Sequence, residues 1–359
     1  MPRPLRTVVL GGVAAVVLLG AAAEYLDLPL RITRRVDAWV ARPRVVTGGD
    51  AFELVLVSDD EGSRQTGQFD GEPGDDLALV GFGRIRLLTP ATLAEHQSVD
   101  LTGSLPAAWT PSMRLARLGG MPVVVDTGGG FDDTRVRDLD GSERWRYRPE
   151  SDVPATSLIP ADLDGDGDTE FYATITSHAV RLDATGNEVW RAPFSVGRIV
   201  ATAPQTRRDP AWIVAQGQGE TVVWDSRGMR LGSVTMKDAP PLGVIDRPDG
   251  RFLLTGGPAV RAVGLDGRVA FTWAVDGMQI SNALPLSLEA GAPPAIALIA
   301  TGEEPSMRWR LQVVAADATL LYDEILNSPT ELLKARGADG IDRLFLDRAG
   351  LFTLRRRAQ

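Results

Sequence analysis

The sequence predicts an all-β fold, a β-propeller of about seven four-stranded blades, preceded by an N-terminal apolar signal or anchor helix. Three observations predict it. From Ala51 onward the chain is a series of short β-rich runs broken by Gly, Asp, Asn and Pro, without a long helical period. A strand-turn-strand unit recurs at roughly 40–50 residues, the length of one blade. One turn, Asp162-Leu163-Asp164-Gly165-Asp166-Gly167-Asp168-Thr169-Glu170, sets oxygen donors at alternate positions and then runs into an apolar strand.

Taken in order, residues 1–23 form the first element. Arg3 and Arg6 precede an unbroken apolar run from Thr7 to Ala23, the layout of a secretory signal or signal anchor. Ala21-Ala22-Ala23 offers small residues for cleavage before Glu24, and the run is slightly short of the ~20 residues that span a bilayer comfortably. Cleavage and retention are both open. Either outcome places the rest of the chain outside the cytoplasm, as a membrane-anchored or secreted protein, although Arg31, Arg34 and Arg35 just beyond the run oppose that orientation. Residues 24–50 read as a connector, with a short amphipathic stretch around Val36, Trp39 and Val40.

Residues 51–359 form the propeller. Its hairpins are clearest at Val136 to Trp145, with the turn Asp138-Leu139-Asp140-Gly141, and at Val180 to Trp190, with Asp183-Ala184-Thr185-Gly186. Weaker copies follow at Val222 to Gly228, Val263 to Arg268 and Val313 to Ala318, and another opens the series at Leu77 to Thr92. Apolar runs precede these hairpins at Pro122 to Val125, Phe171 to Ile175, Trp212 to Ala215, Phe252 to Thr255 and Ala295 to Ile299, and are expected to be the inner strands. That makes six blades within residues 64–327. The strands after Leu332 lack an outer partner, and residues 51–58 are expected to complete that last blade, so that no ring edge is left open. Trp145, Trp190, Trp224 and Trp273 fall at similar positions in the repeat and read as packing between blades. Trp109 and Trp309 fall outside it and are the better candidates for contact with a partner.

The strand-Asp-x-x-Gly-x-x-x-Trp hairpins resemble repeats of the quinoprotein-like (PQQ-like) β-propellers, and Ala161 to Ala173 resembles the FG-GAP or VCBS repeat. The resemblance covers roughly residues 60–357 and implies an extracytoplasmic, bacterial-type binding or adhesion module. Its calcium pattern falls on Asp162, Asp164, Asp166, Gly167 and Glu170, with Asp168 contributing through its backbone carbonyl. The chemistry agrees, since calcium takes six to eight hard oxygen ligands around a tight turn. A solvated acidic turn is the competing reading. A degenerate copy at Gln68, Asp70, Glu72 and Asp76, where Pro73 replaces the turn glycine and Gln68 the first aspartate, reads first as an ordinary acidic turn and second as a metal loop; Asp339 to Asp342 and Asp249-Gly250 read as plain turns.

Catalytic patterns are sparse. Asp126-Thr127-Gly128 ends a strand as in an aspartic protease, but a second such triplet is missing and two carboxylates must share the proton. The only histidines, His96 and His178, have no adjacent nucleophile or second histidine ligand and read as turn or edge residues. Gly128 to Gly130 and Gly256-Gly257 lead into no phosphate-holding helix. The net charge of −9 argues against nucleic acid as a partner. Absence of cysteine excludes disulfides and thiolate metal sites. The expected function is therefore a non-catalytic, calcium-binding scaffold that binds a protein or a surface glycan in the cell envelope. The alternative is an envelope enzyme, first of all a PQQ-type quinone oxidoreductase.

Overall fold

The computed structural model describes residues 44–45, 52–58, 62–81, 83–101, 113–126, 134–148, 157–166, 169–175, 178–194, 198–217, 219–235, 239–302, 308–326, 330–348 and 350–356. Within them the chain forms seven antiparallel sheets, the blades of a propeller. Blade 1 comprises Ser63–Gly67, Asp76–Gly81, Arg84–Leu88 and Glu95–Asp100, in that order from the axis outward. Blade 2 runs from Met113–Leu118 to Glu143–Tyr147, blade 3 from Ser157–Ala161 to Glu188–Pro193, and blade 4 from Arg198–Ala203 to Arg230–Val234. Blade 5 runs from Pro241–Arg247 to Val269–Ala274, and blade 6 from Gln279–Leu286 to Leu320–Leu326, with Arg44–Val45 added outside it. Blade 7 takes Glu331–Arg336, Asp342–Arg348 and Gly350–Arg356 from the C-terminal segment and Phe52–Ser58 as its outer strand. Phe52 lies opposite Arg356 and Leu54 opposite Leu354. The apolar run Thr7 to Ala23 and the stretch around Trp39 lie outside the described residues, among which no helix is long and apolar enough to cross a membrane.

The apolar runs expected to be inner strands are the second strands of their blades, one place out from the axis. The reason is solvent. A second strand has a sheet neighbour on each side and a packed blade against each face, so the side chains along its middle are covered: Val123, Val124 and Val125 are fully buried, as are Ile213, Val214 and Ala215. A first strand borders the axial cleft and keeps polar residues, as Arg198–Ala203 does with only Ile199 and Ala203 buried. Burial is organised by the gaps between blades. Seven clusters of buried side chains each join two neighbouring blades, including Leu77, Leu79 and Leu88 of blade 1 with Ala335, Phe345 and Leu351 of blade 7. The first strands touch in turn around the axis, and Glu331–Arg336 meets Ser63–Gly67 to close the ring.

The turns joining third to fourth strands repeat one geometry. In blade 3 the Asp183 N–H donates to Asn187 O and the Gly186 N–H to Asp183 O. Blades 2, 4, 5 and 6 repeat this with Asp138, Asp225, Gly264 and Ala315 in the place of Asp183. The fourth residue has a positive φ, 82° at both Gly186 and Gly228, which glycine adopts without strain. The tryptophans use these turns. Trp145 on the outer strand of blade 2 donates from Nε1 to Ala184 O at 2.9 Å, and Trp190 on that of blade 3 to Ser226 O at 2.9 Å, so each indole staples its blade to the turn of the next. Trp224 departs from the expected equivalence: it lies on the third strand of blade 4, edge-on to Phe194. Its position before the turn aspartate, where the other two follow theirs, is the reason. Trp309 packs against the core cluster between blades 6 and 7, and Trp109 lies outside the described residues.

Candidate functional site

Because antiparallel strands alternate direction, the loops from first to second strands and the turns from third to fourth strands emerge at the same end of the ring. Both acidic loops noted in the sequence stand there. The loop of blade 3 brings Asp162, Asp164 and Asp166 together, with one carboxylate oxygen of each within 4.8 Å of the others. Gly165, at φ 80°, makes the bend, its N–H donates to Asp162 Oδ1 at 2.7 Å, and Asp164 Oδ1 accepts from the Asp166 N–H at 3.3 Å. Gly167 and Asp168 lie outside the described residues.

Glu170 faces inward at the start of the second strand. Its Oε2 accepts from the Leu163 N–H at 3.1 Å and its Oε1 from Arg181 Nη2 at 2.7 Å. Burial raises its carboxyl above the usual range; the Leu163 N–H and Arg181 act the other way, and the nearby Asp164 adds to the rise. Burial, and next the Glu170 charge, push the Tyr172 hydroxyl up as well. Arg181 continues outward: Nη1 donates at 3.0 Å to Ser226 O, the same carbonyl that Trp190 bonds. The acidic loop is thus wired to blade 4 through one guanidinium.

Blade 1 repeats this plan with different residues. Asp76 Oδ2 accepts from the Phe69 N–H at 2.9 Å, as Glu170 does from Leu163, and Phe69 is buried like Leu163. Asp70 Oδ1 accepts from the Glu72 N–H at 2.8 Å. Gln68 Nε2 donates to the Glu72 backbone carbonyl at 3.1 Å. His96, expected to be a turn or edge residue, comes from the outer strand and places Nε2 3.0 Å from Asp70 Oδ2 and 3.2 Å from Asp76 Oδ1. Burial raises the Asp76 carboxyl despite the Phe69 N–H. The corresponding loop of blade 4 carries a single acid, Asp209; there Arg251 of blade 5, its guanidinium almost wholly enclosed, donates to the carbonyls of Pro204 and Pro210 and pairs with Asp246.

A polar cleft of about 650 Å³ opens beside these loops, between the first strands of blades 7, 1 and 2 and the loop of blade 3. Arg64, Arg114, Arg117 and Asp162 are among its lining residues. Arg64 pairs with Asp347 at 3.0 Å and Arg117 Nη1 donates to Gln68 Oε1 at 3.2 Å. Arg114 is exposed and has no ion-pair partner among the described residues. The remaining sequence candidates lie elsewhere. Asp126 ends the second strand of blade 2 and is buried, with Thr127 and Gly128 outside the described residues. His178 opens the third strand of blade 3. The sequence signal for His96 was its place just after the third-to-fourth turn, at the same end of the same blade as Asp70 and Asp76.

No protein-family model matches the chain, and no curated protein matches it. Solved structures do. BBS1N in complex with ARL6DN, soaked with mercury, superposes with a TM-score of 0.60 at 11% identity, over 87% of this chain and 98% of that one. The same complex soaked with lead gives the same values. At that identity the likeness shows the fold: a seven-bladed β-propeller.

Proposed function

We propose that this chain is a non-catalytic, extracytoplasmic propeller of the FG-GAP/VCBS and PQQ-like type, held at the membrane by its N-terminal segment, which binds a protein or surface glycan. The observation that carries the reading is the placement of the acidic loop of blade 3 at the rim of the polar cleft, with Asp162 lining both. A rigid ring that presents loops and a cleft at one end is a binding platform. The structural neighbour BBS1N was solved bound to a protein, ARL6DN, which supports a protein over a glycan. Calcium is assigned to Asp162, Asp164 and Asp166, with the Asp168 carbonyl and Glu170 completing the set. An all-oxygen donor group around a tight turn suits that ion, and its role is to set the shape of the rim.

The test is photo-crosslinking in intact cells, with the crosslinking residue placed at Arg114 in the cleft or at Arg230 on an outer strand. Discrete adducts from Arg114 alone, lost on chelation, are expected. Identical adducts from both positions, or none, would overturn the binding reading. Dye reduction by the protein reconstituted with PQQ and calcium would replace it with a quinone oxidoreductase.

A further inference from the structure

We propose that Asp70, Asp76 and His96 of blade 1 form a second metal site, selective for a transition ion of the zinc type rather than for calcium. Three donor atoms converge from three places in one blade: the loop after Ser63–Gly67, the start of Asp76–Gly81 and the start of Glu95–Asp100. One ligand atom from each lies within 4.8 Å of the others. The separations of 3.0 and 3.2 Å from His96 Nε2 to the two carboxylate oxygens are close to the ~3.3 Å edge of a tetrahedron with zinc-length bonds.

Each ligand is held from behind. Asp76 is buried and its second oxygen takes the Phe69 N–H, while the second oxygen of Asp70 takes the Glu72 N–H. His96 Nδ1 lies 3.4 Å from Thr89 Oγ1. A proton on Nδ1 donated to that hydroxyl leaves the Nε2 lone pair directed at the carboxylates, the tautomer a metal requires. The His96 side chain is 31% exposed, which leaves an entry path and room for water as a fourth ligand.

The donor chemistry separates this site from the one assigned in blade 3. An imidazole nitrogen with two carboxylates favours zinc, cobalt or nickel, whereas the oxygen-only set of Asp162, Asp164 and Asp166 favours calcium. Gln68, which a calcium reading of this loop would recruit, is engaged elsewhere, its Nε2 donating to the Glu72 backbone carbonyl and its Oε1 accepting from Arg117. The competing arrangement is a protonated His96 paired with both carboxylates and no metal.

The experiment is zinc titration of the tag-free full-length chain by calorimetry at pH 7.5, with thermal melts in zinc and in chelator. Cobalt(II) absorbance serves as a second readout. Only two histidines occur in the chain, so a nitrogen-ligand signal is readily assigned. One tight zinc site, a zinc-dependent rise in melting temperature and tetrahedral cobalt bands are expected in the parent and in Asp164→Asn. His96→Gln and Asp70→Asn should lose all three while melting like the parent in chelator. Thr89→Val should bind about 10–100-fold more weakly. Absence of zinc binding by the parent, or parent-like binding by His96→Gln, would overturn the proposal and leave an ion pair.

Discussion

The indole of Trp190 lies so close over Gly228 that a Cβ there would stand 2.8 Å from its ring. Trp145 and Gly186 repeat the relationship one blade earlier, at 2.7 Å. Glycine is needed at these turns twice over, for its positive φ and for its missing side chain.

Gly228→Ala should therefore cost about 2 kcal/mol or more, from left-handed backbone strain and overpacking together. Adding Trp190→Leu removes the ring, so the double variant should lose less than the two single losses combined. Urea denaturation of all four proteins measures the coupling. Strict additivity would show that the ring and the turn do not press on each other.

Ala318 is the exception that tests the rule. It holds the same turn position in blade 6 at φ 66°, and Trp273 of blade 5 donates to the Gln312 side chain instead of to the turn. Ala318→Gly should relieve strain and stabilise the protein by about 0.5–1 kcal/mol after the entropic cost of glycine. A lower denaturation midpoint would contradict the strain.

Glu188 joins blades 2 and 3, receiving the Tyr147 hydroxyl at 2.6 Å and a two-pronged contact from Arg191. The Arg191 bonds hold its carboxyl below the usual range, against burial and with help from Tyr147. A depressed folded-state value means that its stabilisation is fully present above the ordinary glutamate value of 4.5 and is lost as pH falls through the folded one. Glu188→Gln should be less stable than the parent at pH 7, and the gap should narrow through that acidic interval. Melts from pH 7 to pH 3 read it directly, and a constant gap would refute the assignment.

Asp164→Asn combined with Asp166→Asn should lower the melting temperature in calcium and leave it unchanged in chelator, since only the ion-bound state loses ligands. Equal losses under both conditions would remove the metal from blade 3.

The parts legible in the sequence are those whose causes are local. An Asp-x-x-Gly turn is specified within five residues, as at Asp183 to Asn187, and a second strand announces itself because burial on both faces demands an unbroken apolar run. The blade count followed from repeating these two signals. Which strand borders the axis was not legible, since apolarity marks coverage by neighbouring blades and not distance from the centre. The pairing of His96 with Asp70 and Asp76 joins the loop after the first strand to the second and fourth strands of one blade, and no short window contains it. The enclosure of Arg251 by Pro204 and Pro210 was hidden for the same reason, with the loop and its cation in adjacent blades.

Among the described residues Phe52–Ser58 pairs only with the strand ending at Arg356, and the ion pair between Glu53 and Arg355 joins residues 302 positions apart. During synthesis at about 5–20 residues per second, this outer strand waits roughly 15–60 s for its partner. Throughout the interval the growing chain exposes a hydrogen-bonding edge to any passing β-segment. Misassembly is thus a hazard of translation itself, and a slow ribosome lengthens it.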